Sequence, residues 1–519
     1  MRDWKFSGST ALVALVAGNS ALADVTPEEV WSNWQAMGVH YGQEMTAESA
    51  VRSGDALRVT GLNISSQQEG ASFDLTIDDV TFRDMGDGRV EIVMSDEYPV
   101  SMIVETTDSS TAATPETTPE TPAVTKPTEI ELTVSHPGLV MIAGGSATET
   151  RYDFNAPTIG ISLTEIDGVD AEKINAAFDL TLTGMAGNYI LTGEVAKALS
   201  SSFSAAAIGV VAGFTDPEEG GTFNLTVDVA DLAGTSSGTM GTATDMADMP
   251  AALAAGFATE GGFTYGAASY DFDFADAADR MASKSSVEGG SFTFAMDKTR
   301  MNYGGGVKGA SMALSGSTIP FPELVVTYAD AAFNLLMPIS KSDTPTDFAL
   351  LTRLVDLSLP GDVWGMFDPA GTLPRDPLTV ILDTTGTARL TVDLMDTAQM
   401  AALGDAPPGE LHALKVNSLQ VKATGAELTG SGALTFDNGD LATYAGMPAP
   451  TGTIEMKLTG GNALLDNLAS MGLIPEDQIM GARMMLGMFA KMVEGQPDTM
   501  TSTLEFKDKS FFANGMQLK

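Results

Sequence analysis

Cysteine is absent from all 519 residues. That excludes disulfides, thiol nucleophiles, thiolate-held zinc and a lipid-modified N-terminal cysteine, so the fold must stand on packing and hydrogen bonds. Histidine is almost as scarce. His40, His136 and His412 are the whole set, and none lies at metal-ligand spacing from another. Each is expected as a lone surface or internally satisfied side chain, with no metal site. Basic residues are few, 27 Lys and Arg against 68 Asp and Glu, for a net charge of -41. A field of that sign repels polyanions, which excludes nucleic acid as a general partner. The excess acid reads as a solvated, solubilising surface.

Long apolar runs are also missing. The run "ALVALVAG", residues 11–18, falls well short of the about 20 apolar residues that a membrane helix needs. Arg2 and Lys5 precede it, and Ala21, Leu22 and Ala23 follow as a small-residue cleavage site. This is the pattern of an export signal cut after Ala23. The expected product is a periplasmic chain starting at Asp24 with no transmembrane segment; an uncleaved N-terminal anchor is the alternative.

Catalytic signatures fail on context. "GTSSG", Gly234 to Gly238, spells a nucleophile elbow, but a Gly/Ser/Thr stretch surrounds it and His412 is the only later histidine. It is expected to be a turn. "DFDFADAAD" sets Asp271, Asp273, Asp276 and Asp279 near one another without the glycine and glutamate of a calcium loop. Tyr270, Phe272 and Phe274 make it an alternating strand instead. The chain has no phosphate-binding loop and no dinucleotide fingerprint, and no catalytic residue or cofactor is assigned.

What the sequence does have is alternation. The segment "DVTPEEVWSNWQAMG" first reads as a helix capped by Thr26, with Pro27 in its first turn and Glu29 completing a capping box. Val30, Trp31 and Trp34 then face a sheet. From Leu57 the period becomes two, through Leu57 and Val59, then Phe73, Leu75 and Ile77, a turn at Gly86 to Gly88, and Val90, Ile92 and Met94. An aromatic opens strand after strand: Phe73, Tyr152, Phe178, Phe223, Tyr270, Phe292 and Phe333. This predicts a degenerate repeat of hairpins, a long meander.

Thr106 to Glu129 breaks the pattern, being rich in Thr, Pro and Glu. It is expected to be a disordered insertion at a hairpin tip, with an interdomain linker as the alternative. Lys197 to Gly209 and Asp245 to Phe257 read as small-residue helices. Near the end, Pro475, Glu476 and Asp477 restart a helix after Gly472. Its stripe runs through Ile479, Ala482, Leu486, Phe489 and Val493 and is widened by Met485, Met488 and Met492. A helix pair packed on the sheet is one reading; a pliable wall for a lipid, formed by Ile479, Met485, Leu486, Met488, Phe489 and Met492, is the other.

The densest stretch is "WGMFDPAGTLPRDP", Trp364 to Pro377. Pro369, Pro374 and Pro377 force extended conformations on the residues before them. Trp364 and Phe367 suit one helical turn with both rings on the core, and Arg375 is placed to bridge Asp368 and Asp376. The stretch therefore reads as a fixed elbow feeding a new hairpin. The same stretch carries a resemblance. With its flanking strands and the run "GNALLDNLASMGLIPEDQIMGARMMLGM", it resembles the Gram-negative envelope family catalogued as domain of unknown function 2125, across most of the mature chain. The family implies no reaction, cofactor or catalytic residue.

These readings define a mainly β protein: one elongated region, a long curved antiparallel sheet of hairpins, with an N-terminal helix and a C-terminal helix pair. Its expected role is non-enzymatic binding of an apolar or lipidic envelope ligand. The alternatives are a scaffold or adaptor meeting another envelope protein, and an acid-assisted hydrolase using Asp368, Arg375 and Asp376.

Overall fold

The computed structural model describes residues 24–40, 43–68, 70–107, 125–146, 148–193, 198–216, 220–239, 248–404 and 406–519. The expected export signal, residues 1–23, lies outside them. Among the described residues, 28 strands form one sheet, accompanied by six α-helices: α1 (Pro27–His40), α2 (Met249–Ala254), α3 (Gly361–Phe367), α4 (Thr397–Leu403), α5 (Gly461–Ser470) and α6 (Glu476–Phe489). No helix among them is long and apolar enough to cross a membrane.

The capping box forms as the residues imply. Thr26 N–H donates to Glu29 Oε2 at 2.8 Å, and Glu29 N–H donates back to Thr26 Oγ1 at 3.3 Å. The helix started there lays Val30 and Trp31 on the sheet, both buried. Trp31 and Trp34 flank Phe82 with ring centroids 5.9 Å and 5.3 Å away. Around Phe82, the side chains of Leu57, Val59, Val80, Val90 and Ile92 close the main hydrophobic core. Each aliphatic side chain buried in this way contributes about 1.5–3 kcal/mol.

The strands run as a meander and pair antiparallel with their sequence neighbours. Ala56–Gln68 pairs with Ala71–Asp84, Ala176–Thr192 with Ala198–Thr215, Ala198–Thr215 with Thr222–Thr239, and the pattern continues to Ala449–Thr459 against Thr499–Lys507. Where two short strands replace one long strand, they share a partner. Ala258–Tyr265 and Ala268–Ala275 both pair with Thr222–Thr239, one beyond the other. Strands Glu97–Thr107 and Thr125–Ser135 pair with each other up to Thr107 opposite Thr125. Thr106, Thr107 and Thr125 to Glu129 thus belong to paired strands rather than to the expected disordered insertion, and residues 108–124 lie outside the described residues.

Gly61 solves a local problem. Apolar positions in its strand shift from odd (Leu57, Val59) to even (Leu62, Ile64), yet all four belong to or pack on one core. Gly61 sits at the shift with φ +57°, a left-handed conformation that resets the alternation and that a side chain disfavours. A Cβ there would also stand 2.5 Å from the Glu48 side chain.

Four expectations are corrected. The helix expected over Lys197 to Gly209 is the strand Ala198–Thr215, paired on both edges. Its Ala and Ser content gave it the look of a helix, but two neighbouring strands supply the hydrogen bonds that decide the matter. The second small-residue helix is shorter than read, Met249–Ala254 with Asp248 as cap, and residues 245–247 lie outside the described set. "GTSSG" is no turn: it lies inside strand Thr222–Thr239, with Gly234 opposite both Phe203 and Phe263. Finally, α6 ends at Phe489, and Met492 belongs to the short strand Lys491–Met492 rather than to a continuing helical stripe.

Phe82 tests where the core sits. Phe82→Ala should lower the unfolding free energy by about 3–5 kcal/mol and free α1 from the sheet. Urea titration followed by tryptophan fluorescence reads both effects. A loss under 1 kcal/mol would mean that α1 is not seated as described.

Candidate functional site

The elbow is a closed turn. Helix α3 ends at Asp368, whose N–H donates to Trp364 O at 2.8 Å. The Asp368 side chain is fully buried. Its Oδ1 accepts from Thr372 N–H at 2.8 Å and its Oδ2 from Leu373 N–H at 2.9 Å. Burial works against its charge, but the two N–H bonds and the nearby Arg375 guanidinium outweigh it and hold the carboxyl below its ordinary range. Asp376 reaches across to accept Gly425 N–H at 2.9 Å. That ties the elbow to the turn between strands Gly409–Ala423 and Ala426–Asp437.

Two expectations for this stretch do not hold. Trp364 and Phe367 do lie together, 5.0 Å between ring centroids, but Phe367 is 43% exposed, so the rings pack on one another rather than in the core. Among the described residues Arg375 has no ion pair within 4.0 Å, so it does not bridge the two aspartates. The reason is that backbone donors already occupy both oxygens of Asp368, while Asp376 turns toward Gly425.

The other singled-out residues are scattered. Ile479 is buried, Leu486 and Phe489 are half-buried, and Met485, Met488 and Met492 are open to solvent at 52%, 41% and 58%. Asp271 pairs with Lys284 at 2.8 Å and Asp273 with Arg280 at 3.1 Å, while Asp276 accepts the Ala278 and Asp279 amides in a turn. His136 is neither on the surface nor satisfied. It is 3% exposed, and its ring nitrogens have no hydrogen-bonding partner among the described residues. The turn His136 to Leu139, which leads to strand Val140–Ser146, holds it beside Tyr98. No cluster of three metal-ligating acids or histidines occurs among the described residues.

The feature that gathers most of the chemistry is a row across the sheet. Directly opposite residues in antiparallel strands place their side chains on the same face. Phe82 stands opposite Ile92, Ile92 opposite Met141, and Met141 opposite Phe154. The row goes on through Gly187, Phe203, Gly234 and Phe263. It then runs through Phe292 and Gly305 to Phe333. Glycines stand between phenylalanines along most of this row, where rings lean over the neighbouring strand, and Phe263 faces Phe292 directly. A Cβ on Gly187 would lie 2.6 Å from the Phe154 ring, and one on Gly234 would lie 2.6 Å from the Phe203 ring. Rings covering glycines in this way stabilise a sheet. At one end the row is sealed by α1, with Phe82 fully buried; at the other, Phe263 and Phe333 are 38% and 49% exposed.

Polar side chains on the other face of the same strands line a groove of about 1430 Å³, to which Phe154, Phe203, Phe263 and Phe292 of the row also contribute. It reaches Asn188, Ser202, Thr235, Glu260, Thr264, Asn302 and Arg300, which sit at the alternate positions and so point away from the aromatic row. Thus one stretch of sheet has an aromatic face and a hydroxyl-rich face. Reading 197–209 as a helix hid Phe203 from view. The pairing of each Phe with a Gly at matching strand depth was the available signal.

Residues 266–518 match the family described as "Uncharacterized protein conserved in bacteria (DUF2125)", covering the C-terminal half rather than most of the chain. No curated protein matches. The crystal structure of BauA, the ferric preacinetobactin receptor from Acinetobacter baumannii, aligns over 88% of this chain and 74% of that one at 8% identity, with a TM-score of 0.12. A likeness that small carries no argument.

Asp368 gives the test of the elbow. Its lowered pKa contributes stability that is present above the ordinary carboxylate range of about 4 and is lost as pH falls through the folded value. Asp368→Asn should therefore be less stable than the parent at pH 7, and the difference should shrink on acidification. Urea midpoints at pH 7 and pH 3 check this; equal midpoints at pH 7 would show that the carboxylate does not fix the turn.

Proposed function

We propose that this protein is a non-enzymatic binder of an apolar or lipidic ligand, working in the periplasm after removal of the export signal. The observation that carries the reading is the aromatic row, which leaves the shelter of α1 and continues unroofed to Phe333. Exposing aromatic and aliphatic side chains in a contiguous band is costly in water, and such a band marks a place where something else is received. The rings lying over glycines make a low, continuous surface suited to acyl chains, which need area and no hydrogen bonds. The large negative charge works against adhesion to an anionic bilayer, so single amphiphiles suit the row better than a membrane surface. Elsewhere, Met480, Met484 and Met485 are 73%, 67% and 52% exposed on α6. That observation favours a second reading, an adaptor contact with another envelope protein; crosslinking in cells at α6 that traps no protein would remove it.

The lipid reading is tested by native mass spectrometry of the gently purified protein and by titration with a fluorescent fatty-acid probe. Co-purified lipid and micromolar probe binding are expected. Phe263→Ser with Phe333→Ser, both at exposed positions, should weaken probe binding at least tenfold when measured at a temperature where circular dichroism shows both proteins folded. A lipid-free protein whose probe affinity ignores both substitutions would overturn it.

A further inference from the structure

We infer that the groove, through the hydroxyl-bearing side chains that point away from the aromatic row, binds a neutral oligosaccharide. The groove crosses eight strands from Glu149–Ile166 to Leu324–Pro338. At about 4.8 Å per strand spacing, it is about 34 Å long, the scale of a chain of sugar units rather than of a single small molecule. Its volume of about 1430 Å³ is above the 300–1,000 Å³ usual for small-molecule sites.

The chemistry of the wall selects the class. The side chains of Ser200, Thr235, Thr264, Ser291 and Asn302 make no hydrogen bond among the described residues, so each presents a free donor and acceptor to the groove. Hydroxyls and an amide of this kind pair with the hydroxyls of a polyol, each group able both to donate and to accept a hydrogen bond. Two charged groups add direction. Glu260 holds one oxygen to Ser237 at 3.3 Å and keeps the other free to accept from a sugar hydroxyl. Arg300 is held at its Nε by Asp297 Oδ2 at 3.2 Å. Asp297 is itself fixed by the amides of Thr299 and Arg300. The terminal nitrogens of Arg300 have no acceptor among the described residues, and a guanidinium so held offers two parallel donors to neighbouring oxygens. Asp153 lines the same wall and is paired with Arg151 at 2.6 Å.

Charge decides between sugars. With Asp153 and Glu260 in the wall and a net of -41 on the chain, a polyuronate or phosphorylated glycan would be repelled. A neutral chain meets no such penalty. The lining also takes in Phe154, Phe203, Phe263 and Phe292, but a wholly apolar occupant would strand the hydroxyls without partners.

The test uses the full chain on a printed array of neutral and uronate-bearing oligosaccharides, followed by calorimetric titration of the best binder. Binding to neutral oligosaccharides over uronate-bearing ones is expected, with affinity rising with chain length. Thr235→Val with Thr264→Val, which keeps shape and strand preference, should lower affinity by about tenfold or more, and Arg300→Gln should do the same. Fatty-acid probe binding on the other face should be untouched by all three. No binding to any neutral glycan, binding that prefers the charged ones, or affinity indifferent to these substitutions would overturn the inference. Loss of probe binding as well would point to unfolding, and thermal melting of each variant excludes that before the affinities are compared.

Discussion

The hydrogen-bond ladder between neighbouring strands is the interaction on which everything else rests. In most domains two layers share one core, and each covers the apolar face of the other. Here the large, fully buried apolar side chains gather almost entirely under α1, among them Phe82, Leu62, Ile92 and Tyr152, with Ile339 as an outlier. Through the rest of the sheet the buried apolar residues are mostly small, such as Ala205, Ala310 and Ala426. Backbone pairing and same-face contacts between adjacent strands therefore carry the stability that a second layer would normally supply. Strands as long as 18 residues make this workable, since each adds a full ladder on both edges.

A sheet built in this way has two consequences for function. Both faces stay accessible over many strands, so the protein can offer two chemically different surfaces with one backbone. Any pocket is also a property of the sheet rather than of loops. In many folds loops supply the chemistry on a rigid scaffold; here the described loops and turns are mostly closed upon themselves. The elbow at Asp368 satisfies its own carboxylate, and the turn at Asp276 satisfies its own too. The side chains left with unspent hydrogen-bonding capacity stand in the strands.

The parts of this arrangement that were legible in the sequence are those fixed by local rules. Period-two alternation gave the meander, and Thr26 with Glu29 gave the helix start. Pro475 with its two following acids marked α6, and the proline spacing marked the elbow. What was not legible depends on neighbours. Ala198–Thr215 looks helical by composition and becomes a strand because Ala176–Thr192 and Thr222–Thr239 supply ladders on both edges. "GTSSG" looks like a turn because glycine and serine are frequent in turns, yet Gly234 is needed where the Phe203 ring crosses it. Arg375 is close in sequence to two aspartates, but both are engaged by backbone donors that no local pattern reveals. The groove was invisible for the same reason: Thr235, Thr264 and Arg300 come from three strands, and only register places them on one wall.

Register also explains why the two faces stay distinct over so many strands. Side chains alternate strictly, so a slip of one residue would carry the phenylalanines into the groove and the hydroxyls into the aromatic row. The alternation of glycine and phenylalanine opposes such a slip. A ring that leans across the next strand needs a residue without a Cβ at that depth, and moving the pairing by one would set Phe203 against Ala233 or Thr235 in place of Gly234. The glycines thus act as register marks, and the phenylalanines as the probes that find them. A sheet so short of buried core needs this kind of local matching, because it has no opposing layer to reject the wrong alignment.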